Sequence, residues 1–459
     1  MSSAGRPGLS STTCTDYQAQ GINPANLGFD PSFDGMHQTI GFAELGFSAY
    51  SNGMGKFDLR TTLYNPDKIM STAEKMQAAT NLAGKRIVAN VDFLYAGYAW
   101  QRVSGGSGFA FTVREKAQWY SEFNESVAGI FLNGKRDQTY FGDPILERKA
   151  DTVNQQNQFD TVGAYAKTTK PLAQIFNGSR VAMSWNREYA FAYGVNIIKD
   201  LDWKVNLGIG IKYIEGIGYL DVQSDGSNLK AFVSSSPYFD LRYGSNGSLR
   251  RAKDSVNQGV WPNSVGHGVG FEMGTTIMYR DKFRFSAALS DLGSVVYSTN
   301  VFTASSNEIS EIRNDGFSSL DFYRNSNRFD GIQKDILRWE SIKKRSQFLP
   351  TKLRFGIAIT KEKWSLGFET ILPMNNSAGN FRKPFYSFGG EIRVVEWLKI
   401  GTGMMYGGNI DQILVPFGIN FITSGGLWEM GIGSRDILTY VRDDNAMLSL
   451  CTAVMRFRF

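Results

Sequence analysis

The residue types that carry most protein chemistry are scarce in this chain of 459 residues, which holds two histidines and two cysteines. His37 and His267 are far apart, which supports neither a Ser-His-Asp catalytic set nor a histidine metal cluster. Cys14 and Cys451 are too few for a disulfide framework and too isolated for a metal site. The G-x-x-x-x-G-K-S/T, H-E-x-x-H and G-x-S-x-G motifs are also absent from the sequence. We therefore predict a protein that is not an enzyme and has no catalytic residue, metal ion or cofactor.

The glycine-dense segment VGHGVGFEMG, residues 265–274, has the composition of a phosphate-binding loop. Gly266, Gly268, Gly270 and Gly274 share one parity, however, and residues of one parity lie on one face of a β-strand. We therefore interpret the segment as a strand that presents small residues on one face.

The composition favours many short strands and excludes several classes of protein. Glycine accounts for 49 residues and aromatic side chains for 14%, as in membrane barrels that carry aromatic girdles. No apolar stretch approaches the length of about 18 residues that a transmembrane helix needs, and the mean hydropathy is −0.25. The formal charge is +6 without a basic run or an aromatic-interleaved patch, so we predict no nucleic-acid partner.

Alternating hydrophobicity is the main structural signal in the chain. In WKVNLGIGIKY, residues 203–213, the odd positions are apolar with aromatic residues at both ends, and the even positions are lysine, asparagine or glycine. The pattern recurs in residues 352–361, 363–372 and 411–422. Because a tilted strand of about ten residues crosses a membrane, the apolar parity is predicted to face lipid and the polar parity a lumen. Charged residues on the inward parity, predicted to pair there, include Lys212, Arg354, Glu369, Glu391 and Arg456.

Fourteen such segments are predicted along the chain. They span residues 38–50, 86–102, 107–122, 181–198, 202–222, 265–280, 282–298, 352–361, 363–373, 385–396, 397–407, 411–422, 426–435 and 446–459. Their connections alternate between long loops and tight turns, and both termini lie on the tight-turn side, as in bacterial outer-membrane barrels. The sequence therefore predicts an all-β fold, a transmembrane antiparallel β-barrel of about 14 strands over residues 38–459.

The two ends of the chain have distinct predicted roles. Residues 1–37 are too polar and irregular for a strand, and they are predicted to plug the lumen, with a disordered periplasmic tail as the alternative. At the other end, the last strand must pair with the first, because an open edge leaves backbone groups unsatisfied in lipid. Phe457 and Phe459 on the apolar parity of this closing strand are predicted to be the signal for outer-membrane assembly.

The stretch AQGINPANLGF, residues 19–29, directly precedes the first strand and contains Asn23-Pro24-Ala25. It resembles the N-terminal hatch of the FadL long-chain fatty-acid transporter superfamily, which the 14 predicted strands and the terminal phenylalanine also fit. Segments 288–298 and 348–359 are more similar to relatives in Bacteroidota, including PorV-like barrels of the type IX secretion system. The resemblance implies that Asn23, Pro24 and Ala25 are hatch residues. It also implies a barrel in the Gram-negative outer membrane with both termini in the periplasm.

The third predicted strand breaks the alternation. Its outward parity holds Glu115 between Val113 and Ala117, and a carboxylate facing lipid is unfavourable, so we expect a bulge or a bend. In FadL-like transporters a kink in the third strand opens a lateral exit. The resemblance therefore implies a lateral opening at Val113, Glu115 and Ala117, and a plain bulge is the alternative.

Two functions are compatible with this resemblance. The first is passive uptake of hydrophobic small molecules, with the lipid bilayer around the barrel and a hydrophobic ligand in its lumen. The alternative is a non-transporting, PorV-like barrel that binds a secretion or surface protein as a subunit of type IX secretion or other cell-surface machinery. Bound lipid-like molecules would favour the first function, and an occluded lumen with a co-purifying protein would favour the second.

Overall fold

Most of the protein forms one large antiparallel β-sheet. The computed structural model describes residues 5–29, 36–55, 69–102, 106–148, 159–237, 261–317, 337–442 and 447–459. Within these ranges the sheet has 19 strands, of which 14 make the barrel wall. The remaining strands extend the wall at the end of the barrel where long loops connect the strands, which we call the long-connection side.

The wall strands are labelled β1 to β14 in chain order. They are β1 (Gln38–Ser51), β2 (Arg86–Gln101), β3 (Ser107–Glu122), β4 (Arg180–Lys199), β5 (Trp203–Ser224), β6 (Gly266–Tyr279), β7 (Phe283–Tyr297), β8 (Lys352–Thr360), β9 (Trp364–Pro373), β10 (Phe385–Val395), β11 (Leu398–Gly407), β12 (Phe417–Ile422), β13 (Trp428–Ser434) and β14 (Met447–Arg458). Among the described residues the α-helices are α1 (Ser10–Thr13), α2 (Thr72–Leu82), α3 (Glu125–Asn133) and α4 (Leu172–Ile175).

Each wall strand pairs antiparallel with the next, and the first pairs with the last. The seam between β1 and β14 runs from Thr39 opposite Arg458 to Tyr50 opposite Met447. At its lower end the backbone N–H of Gln38 donates to the carbonyl of Phe459 over 3.0 Å. The wall is therefore a closed barrel of 14 antiparallel strands, which confirms the predicted fold class.

The predicted strand at residues 411–422 is divided in the structure. Ile410–Leu414 pairs with the upper part of β11, and Phe417–Ile422 pairs with its lower part. Val415 and Pro416 lie between the two pieces. Proline has no backbone N–H for a ladder hydrogen bond, so strand pairing is interrupted at Pro416. The alternation of apolar residues continues through this position, which is why the sequence predicted a single strand.

The outer face of the barrel is an apolar band. On β5 the side chains of Leu207, Ile209 and Ile211 are exposed, with 66% of Ile209 accessible, whereas the alternate residues Asn206 and Lys212 are buried inside. Such a face is stable only against lipid, because a folded soluble protein does not expose so continuous an apolar surface. The predicted alternation of lipid-facing and lumen-facing residues is therefore confirmed on this strand.

A separate lobe covers the outside of the wall on the side of the long connections. It contains α2, α3, α4 and a small sheet of Phe141–Arg148, Phe159–Pro171 and Glu308–Ile312. Its core includes buried Leu82, Val127 and Phe131, which pack with partly buried Phe47 and Leu220 of the wall. Among the described residues, no helix has the length and apolar character that a membrane crossing requires.

We predict that a charge in the middle of the apolar band destabilises the barrel. Ile209→Arg should lower the free energy of unfolding in lipid vesicles by roughly 2–4 kcal/mol, because arginine at the bilayer midplane loses its hydration. Leu201→Arg is the control, since Leu201 is 97% exposed in the turn between β4 and β5. Equal stability of the two variants in urea titrations would contradict the membrane assignment.

Candidate functional site

The N-terminal segment, residues 5–29, lies inside the barrel. It consists of α1 and two 3-10 turns, Asp16–Ala19 and Pro24–Gly28, and nearly all its residues are buried. The last turn begins at Asn23, whose side chain accepts the N–H of Ala25, and Pro24 at the first helical position needs no hydrogen-bond acceptor. Local sequence therefore makes this segment compact and non-extended.

Glycines on the inner wall make room for this segment. At each of the following positions an added Cβ would come within 3 Å of a segment atom: Gly41, Gly97, Gly108, Gly194, Gly208, Gly274, Gly356, Gly367, Gly389 and Gly401. Each of these glycines belongs to a different wall strand. We call this set the glycine belt. Because the segment occupies the space where side chains would lie, the barrel and the segment fit only as a pair.

The three predicted hatch residues lie against β5 and β6. The side-chain amide of Asn23 donates to the hydroxyl of Thr276 over 2.8 Å and to the carbonyl of Ser11 over 3.0 Å. Pro24 and Ala25 pack on Gly208, where a Cβ would lie 2.2 Å from the Ala25 nitrogen. These contacts place the residues in the interior, and their role as a hatch stays a prediction.

Ion pairs also hold the segment to the wall. Arg6 donates to the carboxylate of Glu391 on β10 over 2.9 Å. Asp16 pairs with Arg456 on β14, and Arg456 is 3.0 Å from Glu429 on β13. These charges are mostly shielded from water, and their pairing is required to offset the loss of hydration. The segment is thus held at defined positions around the wall.

A second group of charges lies next to the segment on β4 to β7. The ammonium group of Lys212 is fully buried and contacts the carboxylates of Asp291 at 2.6 Å, Glu188 at 3.7 Å and Glu272. Glu272 also accepts the backbone N–H of Gly21 over 2.9 Å. Opposite charges therefore pair in the interior, and Glu272 connects this group to the segment through the hydrogen bond from Gly21.

Two adjoining cavities remain on the long-connection side of the segment. The larger has a volume of about 160 Å³ and the smaller about 110 Å³, and both include Ile22, Asn90 and Arg435 in their walls. Apolar wall residues of the larger cavity are Val88, Tyr120, Ile371, Phe381, Phe385, Met405 and Leu414. Its polar wall includes Arg354 and Glu369, which pair with each other at 3.3 Å. Such a mixture of apolar walls and few polar groups is typical of a small-molecule site.

Beside the larger cavity, ion pairs connect three parts of the chain on the long-connection side. Asp411, next to the lining residue Ile410, contacts Arg86 at 2.5 Å and Lys383 at 2.9 Å. Partial burial acts to raise the pKa of Asp411, but the hydrogen bond from Lys383 and the charge of Arg86 outweigh it. The pKa of Asp411 is therefore lowered, and its carboxylate is charged at neutral pH.

The expected opening in the third strand is not formed. Each residue of β3 from Gly108 to Glu122 has a partner in both β2 and β4, so the wall is continuous at Val113, Glu115 and Ala117. The irregularity lies on β2, where the register shifts at Tyr95. This is a correction to the predicted perforation.

Glu115 does face outward, and neighbouring strands supply its partners. Trp185 donates to Glu115 over 2.6 Å, Tyr95 over 2.9 Å, and Arg187 is 3.1 Å away. The Arg187 guanidinium lies over the ring of Trp261 at 5.0 Å. Because the carboxylate is paired with Arg187 and surrounded by aromatic rings, the strand accommodates it with continuous pairing.

The remaining predicted residues lie at the wall. Phe457 is opposite Ile40 of β1 and Trp428 of β13, and Phe459 is half exposed at the end of the seam. Their role in assembly stays a prediction. His267 faces outward and its ring nitrogen contacts the Tyr213 hydroxyl at 2.8 Å. Among the described residues there is no group of three or more histidine, cysteine, aspartate or glutamate side chains arranged to hold a metal ion.

The fold and the filled interior define a membrane β-barrel that encloses its own N-terminal segment. Residues 28–407 match a family model described as "Family of unknown function (DUF5723)". The chain belongs to this family. A comparison of this chain with curated proteins found no match.

Several experimental structures are similar to the chain over nearly the whole of both partners. The TodX deltaS2S3 mutant monoaromatic hydrocarbon channel is 12% identical, with 100% of this chain and 98% of that chain covered and a TM-score of 0.47. The toluene transporter TodX of P. putida is 10% identical, with 99% of each chain covered and a TM-score of 0.43. A Pseudomonas aeruginosa FadL homologue is 10% identical, with 100% and 95% covered and a TM-score of 0.40.

The sequence reasoning missed most residues of this interior. It identified small residues on one face of residues 265–274 but did not extend the argument to the other strands, where an inward-parity glycine recurs, as at Gly208 or Gly356. That recurrence was a detectable signal. The cavity residues Met405 and Leu414 carry no such signal, because only strand register brings them together.

We predict that a side chain in the glycine belt displaces the segment. In Gly208→Val the new atoms would overlap the backbone of Pro24 and Ala25, so residues 5–29 should become accessible to added protease in a barrel that still inserts. Gly210→Ala is the control, since a Cβ there meets its nearest neighbour at 3.3 Å. Full protection of the segment in the valine variant would show that the close packing is not required.

Proposed function

We propose that the protein takes up hydrophobic small molecules passively across the outer membrane of a Gram-negative cell. The cavity on the long-connection side of the N-terminal segment carries this proposal. Its walls hold Tyr120, Phe381, Met405 and Leu414, and they lie within a barrel whose exterior is apolar. A ligand that buries about 200 Å² of apolar surface there would gain about 5 kcal/mol, which corresponds to a dissociation constant of roughly 0.2 mM.

The arrangement of the chain supports an orientation for this uptake. The tight turns, the start of β1 and the end of β14 lie on one side, so we place that side in the periplasm and the long connections outside the cell. The cavity would then receive its ligand from outside.

We further propose that residues 1–37 act as a plug, with Asn23, Pro24 and Ala25 as its hatch. Burial of residues 5–29 inside the wall and the fit to the glycine belt support this role. Passage of a ligand into the cell would then require part of the segment to move. Because Asn23 donates a hydrogen bond to Thr276 of β6, we propose this contact with the wall as the point of release.

A second function is supported by the lobe on the long-connection side. Leu146, Phe159 and Tyr165 of its small sheet are each about half exposed, and large apolar side chains of this kind are frequent in protein interfaces. Together with a nearly filled lumen, they fit a PorV-like barrel that binds a secretion or surface protein. The uptake proposal and this alternative differ in whether the cavity is used.

Filling the cavity tests the uptake proposal. Met405 lines the cavity and is buried, whereas the adjacent Met404 faces lipid with 51% of its surface exposed. Met405→Trp should abolish binding of a fluorescent hydrophobic probe to the purified barrel and slow its uptake by cells about tenfold, because the indole occupies the ligand's space.

Met404→Trp is the matched control and should bind and transport the probe as the unmodified protein does. Equal binding by both variants would exclude the cavity as the ligand site. No binding by the unmodified protein, with a surface protein retained through the lobe, would favour the partner function instead.

A further inference from the structure

The closing seam of the barrel is interrupted near its middle. Pairing between β1 and β14 is continuous from Leu45 to Tyr50 and resumes at Phe42, but Ala43 and Glu44 have no partner residue in β14. Ala43 has a φ of 53°, a left-handed conformation that residues other than glycine rarely adopt. Two positions of the strand pair that must hold the barrel closed therefore lack the regular ladder.

The two neighbouring strands are irregular at the same place. Tyr95 on β2, beside Ala43, has no partner residue in either β1 or β3. On β14, the register with β13 shifts beyond Glu429, and the consecutive residues Val454 and Met455 are both exposed, as in a β-bulge. Regular pairing satisfies the backbone groups of a wall surrounded by lipid, so we expect the interrupted part of the seam to be less stable than its regular parts.

The N-terminal segment contacts both sides of this interruption. Asp16 forms an ion pair with Arg456 on β14, and the hydroxyl of Tyr17 donates to the carboxylate of Glu44 on β1. The side-chain amide of Gln18 donates to the same carboxylate over 3.4 Å. Three consecutive segment residues thus connect the first and last strands across the gap in their ladder.

Packing strengthens the same connection. The ring of Tyr17 occupies the space over Gly41 on β1 and Gly97 on β2, and the Arg456 guanidinium lies 5.9 Å from its centre. At Asn23, by contrast, the segment contacts an unbroken ladder, because β5 and β6 pair without a shift from Trp203 opposite Tyr279 to Gly216 opposite Gly266.

We propose that Asp16, Tyr17 and Gln18 form a seam clasp, which holds β1 and β14 together where their backbone pairing is interrupted. This structural function is separate from blocking the lumen, and it does not depend on the proposed uptake of hydrophobic molecules. It implies that displacement of the segment weakens the barrel wall at one defined place.

Asp16→Asn tests this inference. Asparagine keeps the oxygen that accepts the N–H of Gln18 and tolerates the φ of 63° at this position, so the local turn is retained. Arg456 keeps Glu429 as a partner, so no unpaired charge remains. Hydrogen exchange of the purified barrel in lipid nanodiscs should then become at least about tenfold faster at backbone amides of residues 45–50 and 447–452.

Arg6→Gln is the matched control, because it also removes one ion pair between the segment and the wall, at Glu391 on β10. It should leave exchange at the seam unchanged. Unchanged seam exchange in Asp16→Asn would overturn the proposal, as would an equal increase in both variants, which would indicate general stabilisation by the segment.

Tyr17→Phe is the second variant, used if Asp16→Asn does not insert. It removes only the hydroxyl that donates to Glu44 and retains the ring over Gly41 and Gly97. Faster exchange confined to the β1–β14 seam would support the clasp, and protection equal to that of the unmodified barrel would overturn it.

Discussion

Glycines recur on the inner wall of this barrel where its N-terminal segment lies, and the rest of the structure depends on that close approach. A wall of 14 strands encloses more space than its own side chains fill. The glycine belt then lets the backbone of residues 5–29 approach the wall directly, as Ala25 approaches Gly208. The cavity has its floor, and Glu391 and Arg456 have their segment partners, because the segment is fixed at this level.

Charge pairing determines which way the segment lies within the belt. A glycine surface alone offers little specificity, whereas Arg6 with Glu391 on β10 and Asp16 with Arg456 on β14 hold the segment at two separate places on the wall. Breaking a buried pair leaves an uncompensated charge and costs about 3–5 kcal/mol, so alternative placements are strongly disfavoured. The pair of Asp16 with Arg456 links the segment to the closing strand, so filling the lumen and closing the wall are coupled.

Strand positions could be predicted from the sequence because lipid on one side and a lumen on the other impose a strict period of two. The prediction was wrong where backbone chemistry overrides hydrophobicity, as at Pro416. It also failed for Glu115, whose outward direction was clear but whose partners Trp185 and Arg187 lie on another strand. Such contacts and the shape of the cavity depend on the register between strands. This register cannot be predicted from the sequence of a single strand.

Electrical conductance tests most directly whether the segment fills the barrel. In planar lipid bilayers the purified protein should insert without the large, stable current steps of an open pore, because residues 5–29 occupy the lumen from β1 round to β11. Gly208→Val, in which the segment is displaced, should show such steps. Large steps from the unmodified protein would contradict the account, since a water-filled path would then cross the barrel past the segment.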